Sequence, residues 1–367
     1  MEFLPILVLV LVQFGYKAVA GRVRSVREFE PINYDYTKYH PLPEIMAWMK
    51  QMVTENPGVV SSEVYGTSYE DRDIALLKIG LKGENKKAIW MDCGIHAREW
   101  IAPAFCQYFI KEVLRTYKTD TKVEQMLKNL DLYVTPVLNV DGYTYTWTNA
   151  TAEARMWRKN RSPGIEGCNC TGVDLNRNYH AVSWGTTGVS SDCTSEVYPG
   201  PNATSEAETR AVVDYVQARS KDIICFLTMH SYSQLILFPY GNINIKAQNH
   251  DELTEIANAA ATAIRAVHGM DYEVGTQAKV VYPTSGTSMD WAHLMGIPYC
   301  FTFELRPDPD SEHHFLLPEN EIQPACEEAY EGVRSILTYV HDKTFYNAAV
   351  SLTANIWTTL LAMWLAH

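Results

Sequence analysis

The amino-acid sequence predicts an α/β fold, a single domain with a mixed, mostly parallel twisted sheet and helices on both faces. Apolar runs of strand length alternate along the chain with segments whose apolar residues recur at helical spacing. Three of the apolar runs lead into residues that can bind a metal or move a proton, namely His96, His230 and Glu304. Because open α/β sheets bind ligands beyond the carboxyl ends of their strands, we expect these three side chains to share one site.

The first third of the chain predicts two helices and three strands. Residues 45–52 carry apolar side chains at helical spacing, and residues 101–116 form a longer apolar helix. Short apolar runs bounded by turn-forming residues predict strands at 61–66, 73–80 and 86–93.

The rest of the chain continues this alternation around one long polar stretch. Further strands are predicted at 130–138, 222–229 and 299–303, and further helices at 205–216, 253–267 and 327–340. The stretch 143–202 lacks such a pattern and is too long for an ordinary loop, so we expect it to carry functional residues. No repeat or low-complexity linker divides the chain, and we predict one domain over residues 34–343.

The N-terminus predicts entry into the secretory pathway. Residues 3–14 form an apolar core, and the small residues Ala18 and Ala20 make a cleavage site of the small-x-small type. We therefore expect residues 1–20 to be a signal peptide, the alternative being a buried N-terminal helix.

Cysteines, sequons and net charge fit the same compartment. The chain has eight cysteines, and behind a signal peptide these favour disulfides. Glycosylation sequons begin at Asn149, Asn169 and Asn202, while a fourth, at Asn160, lies among expected site residues and should stay unmodified. The net charge of −12 argues against nucleic acid or an anionic membrane surface as a partner.

The C-terminus resembles a signal for attachment of a glycosylphosphatidylinositol (GPI) anchor. Small residues at 347–349 and the short apolar tail 356–366 follow the order of such a signal. The spacer between them is shorter than usual, and the tail is too short for a spanning helix. We expect residues 347–367 to be removed and a lipid to hold the protein at the outer face of the plasma membrane. The alternatives are a C-terminal segment packed on the domain, or a secreted protein.

Several motifs in a fixed order carry a family resemblance over about residues 34–343. The motifs occupy residues 94–100, 155–159, 172–178, 230–232, 282 and 303–306. With them the chain resembles the zinc metallocarboxypeptidases of the pancreatic A/B type, and more narrowly the branch that removes acidic residues. The resemblance implies a monomeric zinc exopeptidase that hydrolyses the C-terminal peptide bond of peptides with a free carboxylate. It also implies a folded propeptide in pancreatic members, for which residues 21–33 leave no room.

The resemblance implies one zinc ion bound by His96, Glu99 and His230. The spacing His-x-x-Glu after a strand suits two ligands of one zinc ion. Two imidazoles and a carboxylate leave the fourth coordination position open for water, the pattern of a catalytic site. Glu304 is implied as the general base that takes the proton of this zinc-activated water. Asp174 is implied as the residue that orients His96.

The resemblance also implies how substrate is held. Asn176, Arg177 and Tyr282 would bind the terminal carboxylate, a task that suits the guanidinium fork. Arg158 would stabilise the negative charge that develops on the carbonyl oxygen. Contacts farther from the scissile bond are implied for Arg98, Ser231 and Tyr232. The alternative of an inactive cell-surface binding module is opposed by the presence of every metal ligand, Arg158 and Glu304.

The residue implied for the floor of the specificity pocket is Met289. Family members that remove basic residues carry Asp there, and members that remove acidic residues carry Arg. Burial of a substrate carboxylate against Met without a partner would be costly, so we expect uncharged aliphatic or aromatic C-terminal residues. The alternative is an acidic preference supported by Lys279 or Arg306.

The resemblance further implies the disulfides Cys93–Cys106 and Cys170–Cys193. Cys168 has no implied partner, and three other cysteines lie in apolar contexts typical of buried thiols, namely Cys225, Cys300 and Cys326. The loop 307–315 is longer and more acidic than is usual in the family. Its histidine pair, residues 313 and 314, is either part of a solvated loop or a weak metal site.

The anchor hypothesis predicts that phosphatidylinositol-specific phospholipase C releases active enzyme from intact cells that express the full-length chain. The lipid alone would hold the mature protein, so most cell-surface activity should move to the supernatant. A chain that stops after Tyr346 is the matched control and should be secreted directly. Recovery of the protein from the medium with its C-terminal peptide still attached would contradict the anchor.

Overall fold

The computed structural model describes residues 33–148, 151–164 and 170–365, and for 347–365 it describes the backbone alone. The helices are α1 (Leu42–Glu55), α2 (Ile101–Thr116), α3 (Thr121–Asn129), α4 (Val140–Tyr145), α5 (Ala152–Arg155), α6 (Ala207–Gln217), α7 (His250–His268), α8 (Gln277–Val280), α9 (Ser288–Leu294) and α10 (Ile322–Leu365). The strands are β1 (Val60–Thr67), β2 (Asp73–Ile79), β3 (Lys87–Cys93), β4 (Leu130–Thr135), β5 (Ile223–Ser231), β6 (Leu235–Phe238), β7 (Glu273–Thr276) and β8 (Tyr299–Leu305). Within these described ranges, no helix is both long enough and apolar enough to cross a membrane.

The described strands form one sheet in the order β1-β2-β4-β3-β5-β8-β6-β7. The central strands β4, β3, β5 and β8 run parallel to one another. Antiparallel pairs flank them, with β1 and β2 on one side and β6 against β8 on the other, while β7 runs parallel to β6. The predicted mixed, mostly parallel sheet is confirmed.

Helices cover both faces of this sheet. Side chains alternate between the two faces along a strand, so Thr302 and Phe303 of β8 point in opposite directions. Thr302 contacts Met289 of α9 on one face. On the other face the ring of Phe303 lies against Gly332 of α10, where an added Cβ would be 3.4 Å from the ring. The core therefore consists of two layers, one on each side of the central strands.

Most predicted elements are present, and α2 has the predicted bounds. β4 ends at Thr135, earlier than predicted, because Pro136 has no N–H to continue the ladder. β5 and β8 run farther than predicted, so that His230 and Glu304 lie within the strands rather than after them. α10 begins at Ile322 and continues well past the predicted end.

Several short elements were not predicted. α3 is mostly polar and depends on the N-cap Asp120, whose carboxylate accepts hydrogen bonds from two backbone N–H groups at the start of the helix. β6 and β7 have four residues each, which is too short for a clear alternation of apolar and polar side chains. They form at the sheet edge because β8 offers a free edge to β6.

Both implied disulfides are present. Cys93–Cys106 joins the end of β3 to α2 with a Cα–Cα distance of 6.3 Å, and Cys170–Cys193 closes a loop with a distance of 5.9 Å. The cysteines at 225, 300 and 326 are free and buried, as their apolar contexts predicted. Cys168 lies outside the described residues.

The structure describes one of the three predicted glycosylation sites. Asn202 is exposed, whereas Asn149 and Asn169 lie outside the described residues. Asn160 is fully buried, which agrees with the expectation that its sequon stays unmodified. The predicted signal peptide 1–20 also lies outside, and for the C-terminal signal the backbone continues α10 to Leu365. The signal peptide and the anchor signal therefore stay predictions.

Asn160 holds two segments of the long polar stretch together. Its backbone N–H donates to the carbonyl oxygen of Val173 at 3.1 Å, and its side-chain oxygen accepts from the N–H of Val173 at 2.8 Å. Its Nδ2 donates to the carboxylates of Glu206 at 2.8 Å and Glu208 at 3.1 Å. Because Arg158 and Asp174 lie on the two joined segments, this network positions candidate site residues.

Glu208 is a buried acid without a cationic partner among the described residues. Its side chain is fully buried, and among the described contacts its Oε1 has no hydrogen-bond partner. Burial, together with the negative charges of Glu206 and Asp141, raises the pKa of Glu208 to about 7. The folded protein therefore keeps a proton on Glu208 that an unfolded chain, with a glutamate pKa of about 4.3, loses earlier as the pH rises.

This raised pKa predicts a pH-dependent contribution to stability. The contribution is complete below about pH 4.3 and is lost as the pH rises to about 7, because the folded state binds more protons in that window. Glu208→Gln keeps a neutral side chain at every pH. We expect its free energy of unfolding, measured in urea, to fall less than that of the wild type between pH 4.5 and 7, by about 3 kcal/mol.

The exposed residue Glu153 supplies the control for this experiment. Glu153→Gln should follow the wild-type curve throughout. If the curves of Glu208→Gln and the wild type are parallel, Glu208 does not hold the proton.

Candidate active site

The predicted site lies at the carboxyl ends of β3, β5 and β8, which are neighbours in the sheet. In the parallel pair β5–β8, His230 is the register partner of Glu304. In the pair β3–β5, Cys93 is the register partner of Met229, so the turn that follows β3 lies beside His230. His96, Glu99 and Glu304 line one cavity of about 240 Å³, and so does Ser231, the residue that follows His230. Strand pairing thus brings together the three side chains that the sequence placed after separate apolar runs.

His96, Glu99 and His230 form a compact buried triad. The Nδ1 of His96 lies 2.7 Å from Glu99 Oε1, and the Nδ1 of His230 lies 3.1 Å from Glu99 Oε2. The two Nδ1 atoms are 3.2 Å apart. Among the described residues, this is the one group of three histidine, cysteine or acidic side chains whose ligand atoms converge in this way.

The geometry of the triad fits a zinc ion. Ligand atoms bound at about 2.0–2.2 Å to a tetrahedral zinc lie roughly 3 to 3.5 Å apart, close to the separations seen here. When both ring hydrogens lie on Nε2, the Nδ1 lone pairs of His96 and His230 face each other at 3.2 Å and also face the carboxylate of Glu99, so all three repel. A cation shared by the two rings and Glu99 removes this conflict.

The outer ring nitrogens of both histidines are held by neighbours. The Nε2 of His96 lies 3.1 Å from Asp174 Oδ1, and the Nε2 of His230 lies 3.1 Å from Thr228 Oγ1. Thr228 donates its own hydroxyl hydrogen to Asp92 at 2.7 Å, so it can only accept from His230. Both contacts place the ring hydrogen on Nε2 and leave Nδ1 free to bind a metal.

Electrostatics favour the ligand forms of two members of the triad. Burial alone would raise the pKa of Glu99, but the charges of His96 and His230 outweigh it and hold the pKa below its usual range. Burial and the neighbouring positive charge of Arg158 lower the pKa of His96. Glu99 is therefore a carboxylate and His96 a neutral imidazole at neutral pH. The pKa of His230 is raised, because Glu99 outweighs the effect of burial.

Asp174 connects the triad to Arg158. Its Oδ2 accepts from Arg158 Nη2 at 2.8 Å and from Arg158 Nε at 3.1 Å, and its Oδ1 accepts from the N–H of Asn176 at 2.9 Å. Burial would raise the pKa of Asp174, but the positive charges of Arg158 and Arg177 hold it well below its usual range. The remaining nitrogen of Arg158, Nη1, points at the triad and lies 3.3 Å from His96 Nδ1.

Arg177 and Tyr282 form a second polar group in the cavity wall. Arg177 is buried, and its Nη2 donates to the hydroxyl of Tyr282 at 3.0 Å. Its Nε donates to Gly188 O and its Nη1 to Asn176 O, both at 2.9 Å. Gly286 has a φ of +79°, and a Cβ there would come within 2.2 Å of Arg177 O. Only glycine lets the chain pass behind this arginine.

Glu304 lines the cavity beside the triad. Burial, together with the charge of Glu99, raises its pKa to about 8, although the charges of His230 and Arg158 oppose the shift. A carboxyl group with a pKa near neutrality can accept a proton and return it within one reaction cycle.

Met289 lies directly behind the cavity wall. It is buried, and its sulfur is 3.4 Å from Oγ1 of Thr302, which lines the cavity. Gln277 and Leu235 line the same cavity. This part of the wall is therefore apolar or uncharged.

The two cations that could have supported an acidic pocket point elsewhere. Lys279 is exposed and lines a different cavity, together with His250. Arg306 donates to both carboxylate oxygens of Glu328, at 2.8 and 2.7 Å, and to Glu321 at 2.6 Å.

The predicted outer contacts divide into two groups. Ser231 and Tyr232 line the cavity, as does Phe315. Arg98 lies behind Phe315, with its guanidinium 4.1 Å from the ring centroid, and it pairs with Glu196 at 2.7 Å. The guanidinium of Arg98 is thus one layer removed from the lining that the motif implied.

Some supporting residues were missed by the sequence analysis. Thr228 lies two positions before His230 on the same strand face, and this spacing was a usable signal for a supporting contact. Asn139 donates to Ile95 O at 3.1 Å and so fixes the turn that carries His96. For Asn139 the sequence gave no signal of this role beyond its position shortly after a predicted strand.

Comparison with known proteins agrees with this geometry. A sequence profile described as zinc carboxypeptidase matches residues 45–332. Carboxypeptidase O of Bos taurus is 49% identical over 314 residues, covering 85% of this chain and 82% of that protein. Carboxypeptidase O of Homo sapiens is 47% identical over 325 residues, covering 88% and 85%. The structure of bovine thrombin-activatable fibrinolysis inhibitor in complex with tick carboxypeptidase inhibitor matches with a TM-score of 0.78 and 41% identity, covering 84% of this chain and 99% of that one.

These matches confirm the family resemblance that the motifs indicated, including the narrower likeness to carboxypeptidase O. They also confirm the fold class and the class of enzyme, a metallocarboxypeptidase hydrolase. The chain belongs to the zinc carboxypeptidase family.

Proposed function

We propose that this chain removes single uncharged residues, aliphatic or aromatic, from the carboxyl end of peptides. The observation that carries the proposal is the meeting of three groups around one cavity of about 240 Å³, which is lined by His96 and Glu99 of the triad and by Glu304, Arg177 and Tyr282. These groups are the metal-binding triad, the carboxyl group of Glu304 and the pair Arg177–Tyr282. Family membership gives the class of reaction, and the residues of the cavity support its details.

His96, Glu99 and His230 hold the zinc ion in this proposal. When bound, zinc polarises the scissile carbonyl and makes water a better nucleophile near neutral pH. Glu304 accepts the proton of the attacking water on a carboxylate oxygen and later donates it to the nitrogen of the leaving amine. Glu304 is the register partner of His230 in the sheet, which places it beside the metal-binding triad, where the attacking water and the leaving amine would lie.

Arg158 stabilises the negative charge that develops on the carbonyl oxygen. Asp174 holds its Nε and Nη2, which leaves Nη1 directed at the triad. A donor fixed in advance needs no rearrangement as the charge develops. His96 shares the same aspartate, so one carboxylate aligns a metal ligand and the oxyanion donor.

Arg177, Asn176 and Tyr282 bind the terminal carboxylate of the substrate. Arg177 is held by three hydrogen bonds within the chain, so its guanidinium is fixed before substrate arrives. Tyr282 is 45% exposed and can turn towards the substrate without breaking a packed core. The buried guanidinium of Arg177 needs a negative partner, and only the carboxylate at the end of a peptide supplies one. Cleavage is therefore restricted to the last residue of a chain.

The preference for uncharged residues rests on the apolar wall around Met289. Thr302, Gln277 and Leu235 line the cavity here and supply no charge. Lys279 and Arg306 are directed elsewhere, so an acidic substrate side chain would be desolvated without a cationic partner.

The protein acts on peptides outside the cell in this proposal. Its two disulfides support passage through an oxidising compartment, and the exposed Asn202 is open to glycosylation. Attachment by a lipid anchor, with removal of residues 347–367, remains part of the proposal.

Replacement of Glu304 by Gln tests the role of the base. The amide has nearly the same shape but cannot accept a proton, so kcat should fall by at least about a hundredfold. Zinc content and inhibition by a C-terminal reaction product should change little. Glu273→Gln, at an exposed glutamate, is the matched control and should keep wild-type kcat. Near-normal turnover by Glu304→Gln would exclude Glu304 as the base.

Replacement of Met289 tests the specificity pocket. Met289→Arg should shift the ratio of kcat/KM towards C-terminal Glu and Asp, and Met289→Asp towards Lys and Arg, each by at least about tenfold. The measurement is a panel of N-acetylated peptides that differ only in the C-terminal residue. Met295→Arg places the same charge at a partly exposed methionine and should leave the preference unchanged. Unchanged ratios in both Met289 variants would mean that the floor of the pocket lies elsewhere.

A further inference from the structure

The loop between β8 and α10 places a histidine at the mouth of the active-site cavity. His314 is exposed, and its ring stacks on that of Tyr232 with a centroid distance of 5.3 Å and an interplanar angle of 23°. Tyr232 itself lines the cavity. The histidine pair in this loop has no part in the metal-binding triad, so it needs another explanation.

Three rings meet at this point. The ring of Tyr232 contacts Phe315 edge to face, with centroids 4.9 Å apart and an interplanar angle of 78°. Phe315 lines the cavity, and Arg98 covers it with its guanidinium. We call Tyr232, His314 and Phe315 the aromatic rim. Because Tyr232 covers only one face of the His314 ring and the residue is exposed, the rest of the ring is available to a ligand.

The direction of a bound peptide determines which of its residues meets the aromatic rim. The terminal carboxylate binds at Arg177, and the scissile bond lies beside the metal-binding triad. Ser231 lies beside the triad, with its N–H donating to Glu99 Oε2 at 3.3 Å, and Tyr232 follows it in the cavity lining, so we assign the N-terminal part of the peptide to these two residues. The residue whose carbonyl is attacked flanks the triad, so the rim meets the residue before it.

We propose that His314 determines specificity for an aromatic side chain two positions before the residue that is released. The inference rests on the proposed function, since it assigns a substrate feature to the same site. The ring of the substrate stacks on His314, and its edge meets Phe315, in arrangements that aromatic rings favour. The chemical class of substrate is thus a peptide with Phe, Tyr or Trp at its third position from the carboxyl end.

Local structure keeps His314 in place. Its φ is +47°, in the left-handed region that few side chains other than Asn, Asp and His adopt readily. The neighbouring backbone is tied by a hydrogen bond from Leu316 N to His313 O at 2.7 Å. Ser311 Oγ accepts from His313 N at 3.2 Å. The described hydrogen bonds of His313 come from its backbone, so its ring serves as a matched control.

The experiment compares two substrates that release the same residue. Acetyl-Phe-Ala-Leu and acetyl-Gly-Ala-Leu both yield leucine and differ only at the position expected to meet the rim. In the wild-type enzyme kcat/KM should be higher for the Phe peptide. His314→Ala should reduce the Phe-to-Gly ratio by about threefold to tenfold, the effect of losing one aromatic pair. His314→Phe should retain the ratio, since a phenyl ring restores the stack.

Further results distinguish a failure of the role of His314 from a failure of the proposed function. His313→Ala should leave both the ratio and the hydrolysis of the Gly peptide at the wild-type values. An unchanged ratio in His314→Ala, or an equal loss in His313→Ala, would overturn the role of His314 alone. Failure of the wild-type, zinc-loaded enzyme to release leucine from either peptide would instead overturn the proposed function.

Discussion

The parallel pairing of β3, β5 and β8 is the constraint on which the site depends. It places the turn after β3 beside His230, and it makes His230 the register partner of Glu304. Side chains alternate between the faces of a strand, so a slip of one residue would send either side chain into the opposite layer of the core. Apolar runs in all three strands bury both faces and thereby fix the register. The chemistry is thus held by the same packing that stabilises the domain.

Buried charge imposes the second constraint, and Asp174 is its centre. A carboxylate without solvent needs several donors, and Asp174 finds them in Arg158, His96 and the backbone of Asn176. Each of these partners belongs to a different part of the proposed mechanism. Their alignment cannot vary independently, because all three bind one buried carboxylate, His96 and Asn176 through Oδ1 and Arg158 through Oδ2. The hydrogen bonds of Asn160 to Val173, the residue before Asp174, fix the backbone that carries this carboxylate.

Sequence reasoning reached the parts of the structure that leave a periodic or motif signal. The central strands, the long helices and the residues of the metal-binding triad could be predicted, because each follows an apolar run or lies in a family motif. β6 and β7 could not, since four residues are too few for a pattern and their pairing depends on an edge strand far away in sequence. The position of Arg98 behind Phe315 also escaped prediction, because a motif fixes the order of residues but not the depth of a side chain.

The proposed preference for uncharged residues depends on the residues near Met289 rather than on the groups that would break the bond. Lys279 is exposed and lines a different cavity, and Arg306 is paired with Glu328, so neither cation is directed at Met289. Asp290, the next residue, is buried, and burial raises its pKa to about 7. In the proposed complex only the fraction of Asp290 that is ionised near neutral pH would repel a substrate carboxylate close to it. The cations that do line the cavity, Arg158 and Arg177, are assigned in the proposed function to the carbonyl oxygen and the terminal carboxylate, so neither is left for an acidic side chain.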